Sequence, residues 1–225
     1  MSAAATYFIG GFATDRQLYE HQLEHIPRAV YLPFPVPEPA DTMATYARKF
    51  IPLIDTAAPF NIVATSMGGI ITMELVKHIA PEKVILISSV KCRAEMPWRL
   101  RQLKYTRLYR LLPGRAYIPA IRYGSWLVPE IRNIPGLRDL VIRMAGNNAP
   151  GFLSWCVHAI VRWEGGNDYR EDIIHIHGTR NAMFPYRLIR NAIPVEGGTH
   201  NMLLTRKEEI TALLQRCLAS HEAFV

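Results

Sequence analysis

The chain has 225 residues, 49% hydrophobic and 20% charged, with a formal net charge of +7. That length buries one sizeable core and is short for two, so a single domain over residues 1–225 is expected. Apolar stretches run about six residues between charges or prolines, against roughly 18 for a membrane span, which excludes an integral membrane segment. The opening MSAAATYFIGG has neither the basic flank nor the apolar length of a signal peptide, and Cys92, Cys156 and Cys217 are scattered without a CxxC pair. A cytoplasmic protein with core thiols is the expectation.

Short β-rich apolar runs alternate with helical stretches, the pattern of an α/β fold. Strands are predicted at Thr6 to Ile9 and Ala29 to Leu32, with a helix from Asp15 to His25 between them. The run Pro33-Phe34-Pro35-Val36-Pro37-Glu38-Pro39 is a stiff loop, because each Pro removes a donor and fixes φ. A helix from Asp41 to Asp55 follows, with Asp41 as its N-cap. Next come a strand at Ile62 to Thr65, a helix from Met67 to Ile79 and a strand at Val84 to Ser88. From Lys91 to about Asp172 the alternation breaks. Helices there are interrupted at Pro113-Gly114, Pro129, Pro135-Gly136 and Pro150-Gly151, so residues 91–172 read as a helical cap insertion. Strands return at Ile173 to His177 and Ala192 to Val195, and a helix from Thr205 to Ala219 ends the pattern. The fold class expected is α/β: a mostly parallel sheet of about six strands, helices on both faces, and a helical cap.

The positive charge is concentrated. Between Lys91 and Arg143, twelve Lys or Arg oppose three acids, Glu95, Glu130 and Asp139, an excess of +9 that leaves −2 elsewhere. The same stretch carries Trp98, Tyr105, Tyr109, Tyr117, Tyr123 and Trp126. It contains no nucleic-acid module and no phosphate loop, so no nucleic-acid partner is expected, while contact with an anionic surface or acidic ligand stays open.

The chemistry-bearing residues lie at strand ends. In Asn61-Ile62-Val63-Ala64-Thr65-Ser66-Met67-Gly68-Gly69, an apolar strand runs into a Ser flanked by small residues and then into a helix. Ala64 and Gly68, two before and two after Ser66, allow the tight crossing of a nucleophile elbow, with Ala in place of the usual first Gly. The alternative for this stretch alone is a Ser N-cap. At the end of the first strand, Gly10-Gly11-Phe12 forms a turn from which the Phe12 N–H, together with that of Met67, is aimed at a developing oxyanion; a plain turn capped by Asp15 is the alternative. Gly11 and, from the cap, Trp98 are the candidate substrate contacts. His200, in Glu196-Gly197-Gly198-Thr199-His200-Asn201, lies in a Gly-rich loop between a strand and the last helix, where a neutral imidazole reaches a distant Ser. His21, His25, His78, His158 and His221 fall on helices, and His175 and His177 share one strand face. Those two lack a third ligand for a metal and are expected to bond loops near the site.

Together, the order strand-Gly-Gly, elbow Ser66, His177-Gly178-Thr179 and Gly197-Gly198-Thr199-His200 resembles the α/β-hydrolase superfamily over nearly the whole chain, in particular its compact bacterial members. The resemblance implies acyl transfer to water by a Ser nucleophile, a His base and an Asp or Glu that orients the His. It needs no cofactor or metal. Ser66 and His200 match, but the position of the acid in Thr179-Arg180-Asn181-Ala182-Met183-Phe184-Pro185 holds Asn181. The acids considered as substitutes are Glu95, a distant candidate beyond the strand that follows the elbow, and Glu196, a sequence neighbour of His200. The expectation is a serine hydrolase of a carboxylic ester or related small acyl compound, weakened at Asn181. Its rival is a non-catalytic protein that binds a small ligand or a protein partner in the same pocket.

Overall fold

The computed structural model describes residues 4–106, 113–165 and 172–220. Six strands form one sheet in the order β2-β1-β3-β4-β5-β6. They are β1 (Ala5–Ile9), β2 (Ala29–Leu32), β3 (Phe60–Thr65), β4 (Lys83–Ile87), β5 (Ile174–Gly178) and β6 (Ile193–Val195), and every pairing is parallel. Each expected strand is present within two residues of its expected ends.

Strand periodicity divides the core. Tyr7, Ile9, Ile62, Ala64, Val84 and Leu86 point to one face, and Phe8, Val63, Ile85 and Ile87 to the other, so two apolar clusters sandwich the sheet. On the first face lie α2 (Met43–Ala47), α3 (Met67–Leu75) and α8 (Pro150–Arg162). On the second lie the turn before α1 (Glu20–His25), α9 (Met202–Thr205) and α10 (Lys207–Ala219). All nine residues of α3 are buried. Edge strand β6 accommodates Pro194, whose missing donor is harmless there.

Several helices are shorter than their sequence pattern suggested. Asp15 does cap the first, its carboxylate accepting from Gln17 N, but that segment begins as a 3₁₀ turn over Arg16–Tyr19. Thr42, not Asp41, is the N-cap of α2, in a reciprocal capping box with Thr45. Asp41 instead accepts from Glu38 N and Thr45 Oγ1, outside the helix. Beyond Ala47 the chain tightens to 3₁₀ through Leu53, around Pro52, which has no N–H to give. The expected helix over Met67 to Ile79 ends at Leu75, and the last one is split at Arg206 (φ −138°, ψ 42°), whose side chain donates to Glu196 O.

Between β4 and β5 the chain forms the helical insertion: α4 (Trp98–Thr106), α5 (Tyr117–Gly124), α6 (Pro129–Asn133), α7 (Leu137–Gly146) and α8. Its last helix is not peripheral. Cys156, Ala159 and Trp163 belong to the main core, and Trp155 packs on Tyr46 with ring centroids 4.2 Å apart. Cys92, Cys156 and Cys217 are free and buried. Tyr109 and His221 lie outside the described residues. Among the described residues, no helix is long and apolar enough to cross a membrane.

Candidate active site

The site begins where β3 must turn into α3. Ser66 sits at φ 51°, ψ −119°, in the positive-φ region that a non-glycine residue occupies only under constraint. The constraint is visible. Its N–H donates to Ile87 O at 3.1 Å, and its carbonyl accepts from Gly69 N at 3.0 Å and from Ser89 Oγ at 2.7 Å. Gly68 is obligatory at this crossing, because a Cβ there would lie 2.3 Å from Ile9 O and 2.4 Å from Gly10 O. Strand β1 therefore passes directly over the first turn of α3, and its following turn meets the Ser. A Cβ on Gly11 would fall 3.1 Å from Ser66 Cβ. Met67 opens α3, where the leading N–H groups have no intrahelical partner, and Phe12 follows Gly11 in the facing turn.

From the other end of the sheet, the loop after β6 brings His200 Nε2 to 3.1 Å from Ser66 Oγ, across 134 residues of sequence. The two side chains line a cavity of about 210 Å³ with Gly11, Phe12, Thr14, Leu18 and the insertion residues Ile121, Val141 and Met144. Helices α5 and α7 roof it. Tyr117 of α5 packs edge-on against Phe12 with centroids 6.1 Å apart, so the cap rests on the turn that faces Ser66. Three polar contacts fasten it further: Asn147 donates to Asp15 at 2.6 Å, Asn148 to Thr14 O at 3.3 Å, and Asn201 to Glu130 at 3.0 Å.

No family model matches the sequence, and no curated protein matches it either. Solved structures do. An esterase from Thermogutta terrifontis, solved with malate bound, superposes with a TM-score of 0.69 at 16% identity, over 96% of this chain and 90% of that one. The enol-lactonase of Burkholderia xenovorans LB400 gives 0.71 at 18% identity, over 98% and 93%. A bromoperoxidase from Bacillus anthracis gives 0.73 at 15% identity, over 97% and 91%. The fold is that of the α/β-hydrolases. The chemistries named for these three differ, so the likeness is one of architecture.

Within that α/β-hydrolase frame, the loop after β5 carries Asn181. It is buried, and its Oδ1 accepts from Met183 N and Phe184 N, both at 3.0 Å. Two backbone donors on one oxygen fix the amide orientation, so Nδ2 is the atom left facing elsewhere. That Nδ2 has no partner, and neither has His200 Nδ1. Both residues meet at Phe184, which Asn181 holds through the backbone and whose ring packs against His200 at 5.6 Å. Burial, with the nearby His177 acting in the same direction, lowers the His200 pKa to about 4. Among the described residues no carboxylate offsets that desolvation.

Neither substitute acid reaches His200 through a hydrogen bond. Glu95 is buried and committed, accepting from Lys91 N at 2.7 Å and Arg190 N at 3.0 Å, with Lys91 Nζ 3.8 Å away. Glu196 accepts from Thr179 Oγ1 at 3.3 Å. Trp98, expected at the substrate, is 62% exposed on α4 and does not line the Ser66 cavity. Helical phase in α4 turns it outward, where Arg99 lies over its ring at 6.0 Å.

The histidine pair on β5 bonds a loop beside the site. His177 Nε2 donates to Phe184 O at 2.8 Å, because a carbonyl only accepts, and its neutral Nδ1 then accepts from His175 Nε2 at 3.1 Å. Burial lowers the pKa of both, with His177 at about 4, and the Lys91 charge adds to it. Among the described residues, no group of three His, Cys, Asp or Glu is placed to hold a metal. The cavity-lining Leu18, Ile121, Val141, Met144, Leu203 and Leu204 carried no sequence signal of a site, since each reads as an ordinary apolar helix position.

Proposed function

We propose that this chain is a serine hydrolase of carboxylic esters or related small acyl compounds. Ser66 is the nucleophile, His200 the base, and the N–H groups of Phe12 and Met67 the oxyanion donors. The reading is carried by one observation: the 3.1 Å approach of His200 Nε2 to the oxygen of a Ser held at positive φ. His200 takes the Oγ proton as Ser66 Oγ attacks the acyl carbon, and the carbonyl oxygen becomes the anion that the two N–H groups receive. Collapse expels the alcohol, which takes the proton back from His200, and water repeats the sequence to free the acid and Ser66. The apolar wall and the volume of about 210 Å³ suit a short acyl or alkyl group.

Turnover is slow in this reading because of Asn181. The productive tautomer carries its proton on Nδ1, and no acceptor receives it; a buried unpaired donor costs about 1–3 kcal/mol. That observation also favours the second reading, a binding protein that retains the pocket and has lost fast turnover. A fluorophosphonate probe with mass-spectrometric localisation separates them. Adduct on Ser66 that Ser66→Ala removes, and that forms faster in Asn181→Asp, supports the hydrolase. Absence of Ser66 labelling in both the parent and Asn181→Asp supports the binder.

A further inference from the structure

The Ser66 chemistry leaves the outer face of the cap unused. We propose that this face docks peripherally on an anionic lipid bilayer. The last turn of α5 and the segment joining it to α6 project Tyr123, Trp126 and Leu127 outward, with Leu127 84% and Tyr123 74% exposed, and Ile134 lies partly exposed just beyond α6. Isolated exposed hydrophobes are ordinary; a cluster bordered by several arginines is not.

The arginines here belong to the same cluster by contact. Arg138 Cζ lies 4.8 Å from the Trp126 ring centroid and its Nη2 donates to Arg122 O at 3.2 Å, while Arg132 Nη1 donates to Trp126 O at 3.5 Å. Arg122 and Arg132 are exposed. Of the two acids nearby, Glu130 is held from the inside by Asn201, and Asp139 sits on α7 beside Arg138. The face thus pairs apolar tips with three guanidinium groups, those of Arg122, Arg132 and Arg138, against two carboxylates, a local excess of +1 over residues 122–139. Guanidinium groups at the level of lipid phosphates and a Trp-Leu tip among the glycerol and upper acyl carbons match that arrangement.

Other occupants fit less well. A single-stranded nucleic acid gains from several open ring faces; Tyr123 offers one, but one face of Trp126 is covered by Arg138, and Leu127 and Ile134 offer no ring. A second copy docked on the same face would set arginine against arginine. The placement also bears on access, since α5 and α7 contribute Ile121, Val141 and Met144 to the roof of the Ser66 cavity. The bilayer lies on the outside of the same helices.

Co-sedimentation of the full chain with vesicles tests this without reference to hydrolysis. Phosphatidylcholine vesicles with and without phosphatidylglycerol are compared at low and high salt. Anionic vesicles are expected to bind at least about tenfold more strongly than neutral ones, and high salt to reduce the difference. Arg122→Glu with Arg132→Glu should lower anionic binding by about tenfold or more. Leu127→Ser should lower it several-fold with an unchanged thermal melt, because that side chain is exposed. Quenching of tryptophan fluorescence by bromo-lipid should largely disappear in Trp126→Phe. Equal binding to neutral and anionic vesicles overturns the proposal, as does binding that neither the arginine pair nor Leu127→Ser alters. Salt-dependent capture of polyglutamate or single-stranded RNA without vesicle binding also overturns it, assigning the patch to a soluble polyanion.

Discussion

At the turn between β3 and α3, the backbone of Ser66 is held from three sides, by Ile87 O, Gly69 N and Ser89 Oγ. The loops after β5 and β6 reach the same cavity with two buried nitrogens, Asn181 Nδ2 and His200 Nδ1, that have no partner. One half of the site is over-determined and the other under-satisfied. In the proposed hydrolase reading, the difference teaches that strain at a nucleophile and support for its base are separate constructions. The first needs only a strand-to-helix crossing with small residues, and the second needs a particular carboxylate on a distant loop.

Giving that loop its carboxylate is the strongest way to remove the contrast. Asn181→Asp should raise hydrolysis of a p-nitrophenyl ester by 10²- to 10⁴-fold on kcat, the inverse of the roughly 10⁴ lost when a serine protease triad exchanges Asp for Asn. The His200 pKa should rise from about 4, moving the acid limb of the rate profile upward. An unchanged rate and profile would show that the acid position does not limit the site.

The crossing of β1 over α3 is broken by a single methyl. Gly68→Ala places a Cβ against two backbone carbonyls, and urea unfolding should show a loss of about 2–4 kcal/mol. Full stability in that variant would mean that the crossing is looser than its distances indicate.

Acid should act on the histidine half. An unfolded His takes a proton near 6.5, whereas burial and Lys91 hold His177 to about 4, so between those values the unfolded chain binds more protons. Stability therefore falls as pH drops from about 6.5 and the contribution is fully lost below about 4. For the buried His177 this is on the order of 3 kcal/mol. His177→Gln, which still offers a donor to Phe184 O, should flatten this part of the stability curve in melts taken across that range.

The contact between cap and sheet domain is the gentlest probe. Asp15→Ala loses the cap at Gln17 N and the 2.6 Å bond from Asn147, and should cost about 1 kcal/mol in thermal unfolding. A change several times larger would make Asp15 a clasp on which the whole insertion depends.

Much of this was legible in order along the chain. Short β-rich apolar runs located all six strands, and apolar spacings of three and four located α1, α2, α3 and α10, whereas the place of α8 against the sheet was not read; the small residues around Ser66 marked a tight strand-to-helix crossing. Helix ends were less legible. The Asp41 to Asp55 pattern is apolar at helical spacing throughout, yet Thr42 and Thr45 form the better capping box and Pro52 forces the tighter turn. Trp98 was misplaced because an aromatic on a cap helix carries no mark of the direction it faces.

Local sequence, then, determined which segments are strand, turn or helix and which residue types stand at the strand ends, because side-chain periodicity and backbone sterics act over a few residues. Tertiary structure alone decided which of them meet. It brought His200 to Ser66, committed Glu95 to Lys91 and Arg190, and left the nitrogens of Asn181 and His200 without partners. It also turned the cap's arginines outward around Trp126 while its Ile and Met residues closed the cavity. The decisive pairings, His200 with Ser66 and Glu95 with Arg190, span about a hundred residues, are set by how parallel strands order in the sheet and by the desolvation of each group once there, and no spacing in the chain encodes them.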